Sequence, residues 1–116
     1  MALAAMPGRK IPREVQLALK ALRKYLAGIY GERWLGLYLF GSYARGDFHP
    51  DSDVDVLIAL EGMANPGQEI DRIGDGVADI CLDYQVLIAT FPVPETWLRE
   101  RKSPLFETVR REGIRL

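Results

Sequence analysis

The sequence has little of the residues that most often bind transition metals or cross-link a chain. It contains one cysteine, Cys81, and one histidine, His49. A single cysteine excludes a disulfide framework and a cysteine-rich metal site. No stretch approaches the roughly 18 consecutive apolar residues that a membrane-spanning helix needs, and the N-terminus lacks the residue order of a signal peptide. We therefore expect a cytoplasmic protein that does not bind membranes.

The rest of the composition predicts one globular domain over residues 1–116. Of these residues 48% are hydrophobic, which is enough for one compact core. The net charge is −1, but the charges are unevenly distributed. Residues 1–46 hold eight Lys/Arg and two Asp/Glu, whereas residues 47–84 hold one Arg and ten Asp/Glu. An acidic centre between basic flanks suits a cation site with basic groups nearby, although a solvated acidic helix and loop would give the same pattern.

The first half of the chain predicts one helix and two strands. Pro12 and the helical spacing of the apolar residues after it indicate a helix over 12–30. The apolar run at 34–40 predicts a buried strand, and Ser42 is expected to cap a short helical turn that ends at Arg45. A second strand is predicted at 53–60. Its two faces would hold Val54, Val56, Ile58 and Leu60 on one side and Asp53, Asp55, Leu57 and Ala59 on the other.

The second half contains one ambiguous segment. Residues 67–90 fit either a helix over 67–83 followed by a strand over 85–92, or one long strand over 77–90. The long strand would be unusual in length and would leave a long loop before it, so the helix is favoured. Two helices should follow, one from Pro94 to Lys102 and one at 104–112 capped by Ser103. The alternation of strands and helices predicts an α/β fold with a small sheet.

The segment GSYARGDFHPDSDVDVLI, residues 41–58, carries the chemistry. Carboxylates two apart on a strand, as in Asp53 and Asp55, point to the same side, and paired carboxylates suit Mg²⁺, which also takes water and substrate phosphates as ligands. Gly41 lets the backbone approach a phosphate closely. Ser42 offers a hydroxyl group next to the free N–H groups of a helical turn. Together these residues predict a site for a nucleotide and its metal ion.

This segment resembles the signature of the minimal nucleotidyltransferases of the DNA polymerase beta superfamily, in which a Gly-Ser pair and a D-x-D triplet are ten residues apart. The resemblance implies a small mixed sheet flanked by helices, with a polymerase-beta-type nucleotidyltransferase core. It further implies that Gly41, Ser42 and Arg45 contact ATP or another nucleoside triphosphate. Asp53 and Asp55 would be the catalytic carboxylates that hold Mg²⁺.

The same resemblance implies an activity and a partner. Such proteins transfer a nucleotide monophosphate, here expected to be AMP, to a hydroxyl group of a protein or a small molecule. Many are encoded beside a HEPN-type protein, and some act as its antitoxin, so a nearby HEPN-type partner is expected, without direct binding of nucleic acid.

The third carboxylate of the superfamily, which acts as general base, is missing from its expected place near Leu87. Asp79 or Asp83 could replace it only if the long-strand alternative were right. A second hypothesis is therefore a weakly catalytic or non-catalytic antitoxin subunit that neutralises a HEPN-type ribonuclease. His49, Asp47 and Asp51 lie in the loop between the two motifs and are expected to have turn or surface roles.

Overall fold

A computed structural model describes residues 11–62 and 65–116 of the protein. The chain forms five helices and four strands within these ranges, beside one 3₁₀ turn at Gly31–Arg33. The helices are α1 (Arg13–Tyr30), α2 (Ser42–Arg45), α3 (Pro66–Tyr84), α4 (Glu95–Glu100) and α5 (Pro104–Glu112), and the strands are β1 (Trp34–Phe40), β2 (Val54–Leu60), β3 (Ile88–Pro94) and β4 (Ile114–Arg115). In the described part of the chain, no helix has the length and apolar character needed to cross a bilayer.

The four strands form one mixed sheet in the order β3-β2-β1-β4. β1 pairs antiparallel with β2 and with β4, whereas β2 and β3 are parallel. The α/β fold with a small mixed sheet and flanking helices is therefore confirmed. The two-residue strand β4 was not predicted, because a strand this short has no readable periodicity.

The alternation predicted for β2 is confirmed, since each face of the strand packs against different helices. Val54, Val56, Ile58 and Leu60 join the core formed with apolar residues of α1 and α3. Leu57 and Ala59 lie in a second cluster with Leu98 of α4 and with Phe106 and Val109 of α5. The sheet is thus covered on both faces, and one end of it is left for the site described below.

The ambiguous segment is a helix followed by a strand, so the long-strand alternative is wrong. Asn65 caps α3 by accepting a hydrogen bond from the Gln68 N–H. Gln85 ends the helix in the left-handed conformation, with φ 54°. The backbone N–H of Ile88 then donates to the Cys81 sulfur at 3.4 Å. Because this turn occupies residues 85–87, β3 begins three residues later than the predicted strand.

Two predicted capping roles need correction. Gly41, not Ser42, occupies the N-cap position of α2, and Ser42 is its first helical residue. Ser103 is the N-cap residue of α5, but its side chain makes no capping hydrogen bond. Its backbone carbonyl instead accepts from the N–H of Glu107 at 3.0 Å, which is the ordinary first bond of a helix. The predicted helix over 94–102 is also shorter, since α4 ends at Glu100.

Helices α1 and α3 are joined by a buried polar contact. The Tyr30 hydroxyl donates to the Glu69 carboxylate at 2.8 Å, and Arg72 pairs with the same carboxylate at 3.3 Å. Burial, together with the hydrogen bond to Glu69, raises the pKa of Tyr30 well above its ordinary value. A buried carboxylate with two partners is a satisfied structural group, so we assign it no part in the site.

Two glycines of α3 differ in what surrounds them, and this gives a stability prediction. A Cβ at Gly74 would meet nothing within 4 Å, whereas one at Gly76 would overlap the Tyr25 ring, whose hydroxyl donates to the Ile73 carbonyl at 3.3 Å. We expect Gly74→Ala to raise the free energy of unfolding by about 0.5–1 kcal/mol through helix propensity. Gly76→Ala should lower it by roughly 1 kcal/mol, because crowding costs about 1–3 kcal/mol and exceeds that gain.

Urea unfolding followed by circular dichroism measures both changes. Each variant is the other's control, since both make the same substitution within one helix. Equal stabilisation by the two would mean that the Tyr25 ring moves aside at no cost and that our account of the α1–α3 contact is wrong.

Candidate functional site

The candidate site lies where β1 ends and β2 begins. These strands are antiparallel, and Phe40 is paired with Asp55. The end of one strand is therefore beside the start of the other, although the chain between them runs through α2 and a polar loop. This pairing brings Gly41 and Ser42, which follow β1, next to Asp53, which directly precedes β2, and Asp55, which is its second residue.

Gly41 and Gly46 make this connection possible. Both have positive φ, 77° for Gly41 and 84° for Gly46, a conformation that favours glycine. Gly41 turns the chain sharply from β1 into α2, and Gly46 ends α2 in the left-handed conformation. The rings of Tyr43 and Phe48 stack with centroids 4.3 Å apart, which ties the polar loop to α2. The loop is thus held on one side of the site.

The site is an open cleft of about 570 Å³. The structure brings all five predicted site residues into its wall, and it adds four that were not predicted. The complete lining is Phe40, Gly41, Ser42, Arg45, Asp51, Ser52, Asp53, Asp55 and Thr108. Thr108 lies on α5, which closes one side of the cleft. Because α5 is more than fifty residues away in sequence, only the packing of the sheet and helices could reveal this contribution.

The two carboxylates of the D-x-D triplet act on each other electrostatically. Partial burial, and then the neighbouring charge of Asp53, raise the pKa of Asp55, while the positive charge of Arg45 lowers it. Two adjacent carboxylates that both ionise at neutral pH repel each other, and a cation between them removes this repulsion. A cation beside Asp53 and Asp55 would therefore offset their mutual repulsion.

Gly41 is required here for a second reason. A Cβ at this position would lie 2.5 Å from the Asp55 carboxylate oxygen Oδ2, so any other residue here would force the carboxylate to move. The Gly-Ser turn and the D-x-D strand are thus in direct contact, and the glycine makes room for the carboxylate.

The donor set fits Mg²⁺ rather than a transition metal. Asp53 and Asp55 offer hard oxygen ligands, and Mg²⁺ is commonly held by one or two carboxylates plus water and substrate phosphates. Among residues 11–62 and 65–116, no group of three or more His, Cys, Asp or Glu side chains could hold a metal ion. The described residues therefore supply at most part of a coordination shell, and water or substrate phosphates would complete it.

Arg45 and the acidic loop residues occupy defined positions. Arg45 pairs with Asp47, at 3.3 Å from Nε to Oδ2, and with Glu112 of α5, at 3.0 Å from Nη1 to Oε1. Asp51 lines the cleft. His49 is exposed and its backbone N–H donates to the Ser52 hydroxyl at 2.8 Å, while its side chain is not part of the cleft wall. The sequence contained no pattern that would have predicted a site role for Glu112 or Thr108.

The expected position of a third carboxylate is apolar. In the parallel pairing of β2 with β3, Asp55 is opposite Ala89, and the Val54 N–H donates to the carbonyl of Leu87 at 2.8 Å. β3, from Ile88 to Pro94, contains no acidic residue. The other two candidates, Asp79 and Asp83, lie on α3, so they are not on a strand next to β2.

The fold and the motif together define a nucleotidyltransferase-type domain. The family model described as "Nucleotidyltransferase domain" matches residues 19–104, which is more than half of the chain. The chain therefore belongs to the nucleotidyltransferase domain family.

Among its relatives are proteins named for protein adenylylation. MJ0141 of Methanocaldococcus jannaschii, an inferred protein adenylyltransferase, is 31% identical over 101 residues, which cover 87% of this chain and 97% of that protein. Protein adenylyltransferase MntA of Thermococcus cleftensis is 44% identical over a shorter stretch of 48 residues, 41% of this chain and 46% of that protein.

Solved structures support the same fold. A crystal structure of a toxin–antitoxin with AMP-PNP superposes with a TM-score of 0.59 at 19% identity, covering 90% of this chain and 72% of that one. A structure of a mutant of the toxin–antitoxin MntA–HpeT gives a TM-score of 0.57 at 16% identity, with 90% and 71% coverage. At this level of identity the likeness shows the fold alone.

Proposed function

We propose that the protein binds ATP with Mg²⁺ in this cleft and transfers AMP to a hydroxyl group of a partner protein. The observation that carries the proposal is the pairing of Phe40 with Asp55, which joins the Gly-Ser turn to the paired carboxylates in one cleft. Membership of the nucleotidyltransferase family and relatives named as protein adenylyltransferases support the reaction class and the choice of a protein as acceptor.

Each residue has a proposed role that follows from its position. The backbone at Gly41 and the Ser42 hydroxyl would hold phosphate oxygens, and Arg45 would add positive charge at the cleft wall. Asp53 and Asp55 would hold Mg²⁺, which would neutralise the triphosphate and orient the α-phosphate. The acceptor hydroxyl oxygen would then form a bond to the α-phosphorus, the bond to pyrophosphate would break, and the hydroxyl proton would leave to a base.

The proposed partner is a HEPN-type toxin encoded nearby. Toxin–antitoxin structures share the fold, and relatives are named as protein adenylyltransferases. A partner protein would therefore supply the acceptor hydroxyl.

A second candidate function is an antitoxin subunit that binds the same partner without rapid catalysis. The apolar residues Leu87 and Ala89 beside the carboxylate pair favour it, because general base catalysis typically contributes about 10²–10⁴-fold to such transfers. Both candidates share the nucleotide site, and they differ in whether AMP is transferred.

Titration calorimetry with ATP tests the proposed binding. We expect ATP to bind in the presence of Mg²⁺ and to lose most of its affinity when the metal is chelated, since the triphosphate would otherwise face two carboxylates directly. Equal binding with and without Mg²⁺ would contradict the proposed metal site. Absence of ATP binding under both conditions would contradict the nucleotide site itself.

A further inference from the structure

The arginine in the cleft wall is held from two sides by carboxylates. Arg45 has a half-exposed side chain, and its Nε and Nη1 atoms pair with Asp47 and Glu112 respectively. Asp47 is a close neighbour in sequence, but Glu112 is separated from Arg45 by 67 residues. Two different parts of the fold therefore restrain one guanidinium group. Together they fix the orientation of its plane as well as its distance from each carboxylate.

Glu112 is well placed for this restraint. It is the last residue of α5, and its side chain is only 18% exposed, against 47% for Arg45. The chain directly after it is fixed to β1, because Ile114 and Arg115 pair with Leu39 and Tyr38. The backbone at Glu112 is therefore held close to the sheet, beside β1, the strand that leads into Gly41.

Neither the stability of α5 nor the strength of the ion pair with Arg45 explains why a glutamate occupies position 112. A negative charge at the C-terminal end of a helix opposes the helix dipole, so this residue does not favour α5 through its charge. An ion pair with a half-exposed arginine contributes little to folding stability. We therefore look for the effect of the contact in the orientation that it gives to the Arg45 side chain.

The contacts leave part of the guanidinium group unused. Arginine has five N–H donors in a rigid fork, and the two pairs described above use one donor on Nε and one on Nη1. Three donors remain, and Arg45 lines the cleft that also contains Ser42, Asp53 and Asp55. A planar group with its remaining donors in a fixed direction suits a phosphate, which accepts two parallel hydrogen bonds from arginine.

We propose that Glu112 is a positioning residue, which holds Arg45 in the orientation that binds the phosphates of the nucleotide. This inference rests on the proposed function, because it takes the cleft to be the triphosphate site. It adds to that function a contribution from α5, and so places the C-terminal end of the chain in the binding machinery. Glu112 acts through Arg45 and does not itself touch the nucleotide.

The sign of the effect separates positioning from a simple charge effect. Glu112 is negative, so removing it makes the cleft less repulsive to an anion, and electrostatics alone predicts tighter binding of ATP. Loss of Arg45 orientation predicts weaker binding instead. We expect Glu112→Ala to weaken Mg²⁺-dependent ATP binding by about two- to fivefold, because a half-exposed ion pair can shift the population of the binding orientation by no more than about fivefold.

The experiment compares four proteins by calorimetry with ATP and Mg²⁺. Beside wild type and Glu112→Ala, it uses Glu112→Gln, which keeps an oxygen that can accept from Nη1 and should lose less affinity. Glu107→Ala is the matched control, because Glu107 is an exposed residue of the same helix and loses the same charge. We expect it to bind ATP as wild type does or slightly more tightly.

Two further measurements show whether Glu112 acts through Arg45. In an Arg45→Gln background, Glu112→Ala should cause no further loss of ATP affinity, because the group it orients is gone, and loss of the negative charge should leave binding unchanged or slightly tighter. Nitrogen-15 NMR of the ligand-free protein should show Arg45 Nη signals of a restrained guanidinium group, which should move toward those of free arginine in Glu112→Ala because Nη1 is the atom that donates to Glu112. These signals are independent of nucleotide.

Each result tests a different step of the proposal. Unchanged or tighter ATP binding by Glu112→Ala, with wild type binding normally, would overturn the role of Glu112 and leave the proposed function intact. An equal loss of affinity in the Arg45→Gln background would overturn positioning through Arg45. Wild-type protein that bound no ATP would overturn the proposed function and, with it, the phosphate role of Arg45, even with restrained Arg45 Nη signals.

Discussion

The double variant Asp53→Asn/Asp55→Asn is expected to bind ATP equally weakly with and without Mg²⁺. Both side chains lie in the wall of the same cleft, and neutral amides are poor ligands for this cation. If metal coordination contributes several kcal/mol to charge stabilisation, the loss is about 100-fold or more in Mg²⁺-dependent affinity. Transfer of AMP to a partner should fall at least as far. Calorimetry measures the first change, and mass analysis of the partner measures the second.

The same substitution is expected to stabilise the ligand-free protein. The pKa of Asp55 is raised by partial burial and by Asp53, so its ionised form is less favourable in the folded state than in the unfolded state. For a carboxyl group with a raised pKa, stability falls as the pH rises past the ordinary value toward the raised one. An asparagine side chain in place of Asp55 cannot ionise, so the unfolding midpoint at pH 7 should be higher than that of wild type. A gain in stability together with a loss of binding is the usual sign of a functional site.

Asp51→Asn is the matched control for this pair. Asp51 lines the same cleft and its replacement removes one of the two charges that the double variant loses, but Asp51 lies in the loop before β2. We expect it to retain Mg²⁺-dependent ATP binding within a few-fold of wild type. An equally large loss in Asp51→Asn would contradict the two-carboxylate site and would indicate that the whole acidic loop attracts the metal non-specifically.

The parts of this site that could be predicted from sequence are local in the chain. The Gly-Ser pair and the D-x-D triplet lie on or beside strands with clear apolar patterns, and the alternation of β2 placed Asp53 and Asp55 on one side. These inferences needed only spacing and residue type. The antiparallel pairing of β1 with β2, which brings the two motifs together, was not predicted.

The parts that could not be predicted depend on contacts across the fold. Thr108 and Glu112 reach the site because α5 packs beside β1 and is followed by β4, a strand of two residues with no pattern of its own. The start of β3 was misplaced because Gln85, a residue without special turn preference, adopts a left-handed conformation. Both features depend on tertiary packing, which the local propensities of the sequence do not reveal.

The largest catalytic effect is expected at the position where the third carboxylate is missing. We predict that the isolated protein binds ATP but transfers AMP slowly or not at all. The hydroxyl that attacks has a pKa far above 7, and the residues of β3 beside Asp55 offer no base for its proton. A general base contributes about 10²–10⁴-fold, so wild-type transfer should be slower than that of a complete site by about this factor.

Leu87→Asp tests this directly. Leu87 is 62% exposed and directly precedes β3, so an aspartate there costs little burial and lies near the start of β2. Incubation with labelled ATP, Mg²⁺ and the product of the adjacent gene, followed by mass analysis of both proteins, gives the rate. If the base is the missing element, Leu87→Asp should accelerate transfer by up to about 10²–10⁴-fold. Leu87→Asn, which has nearly the same shape without the charge, should not.

The partner's contribution decides between the two candidate functions. Transfer that requires the partner and is lost in Asp53→Ala would mean that the partner supplies both the acceptor and a base, and Leu87→Asp would then add little. A stable complex without transfer would favour the non-catalytic antitoxin subunit. Rapid transfer by the isolated wild type would contradict the prediction. If that activity were lost in Asp79→Asn or Asp83→Asn, a carboxylate that the structure places on α3 would have to reach the cleft, and the position of that helix would be wrong.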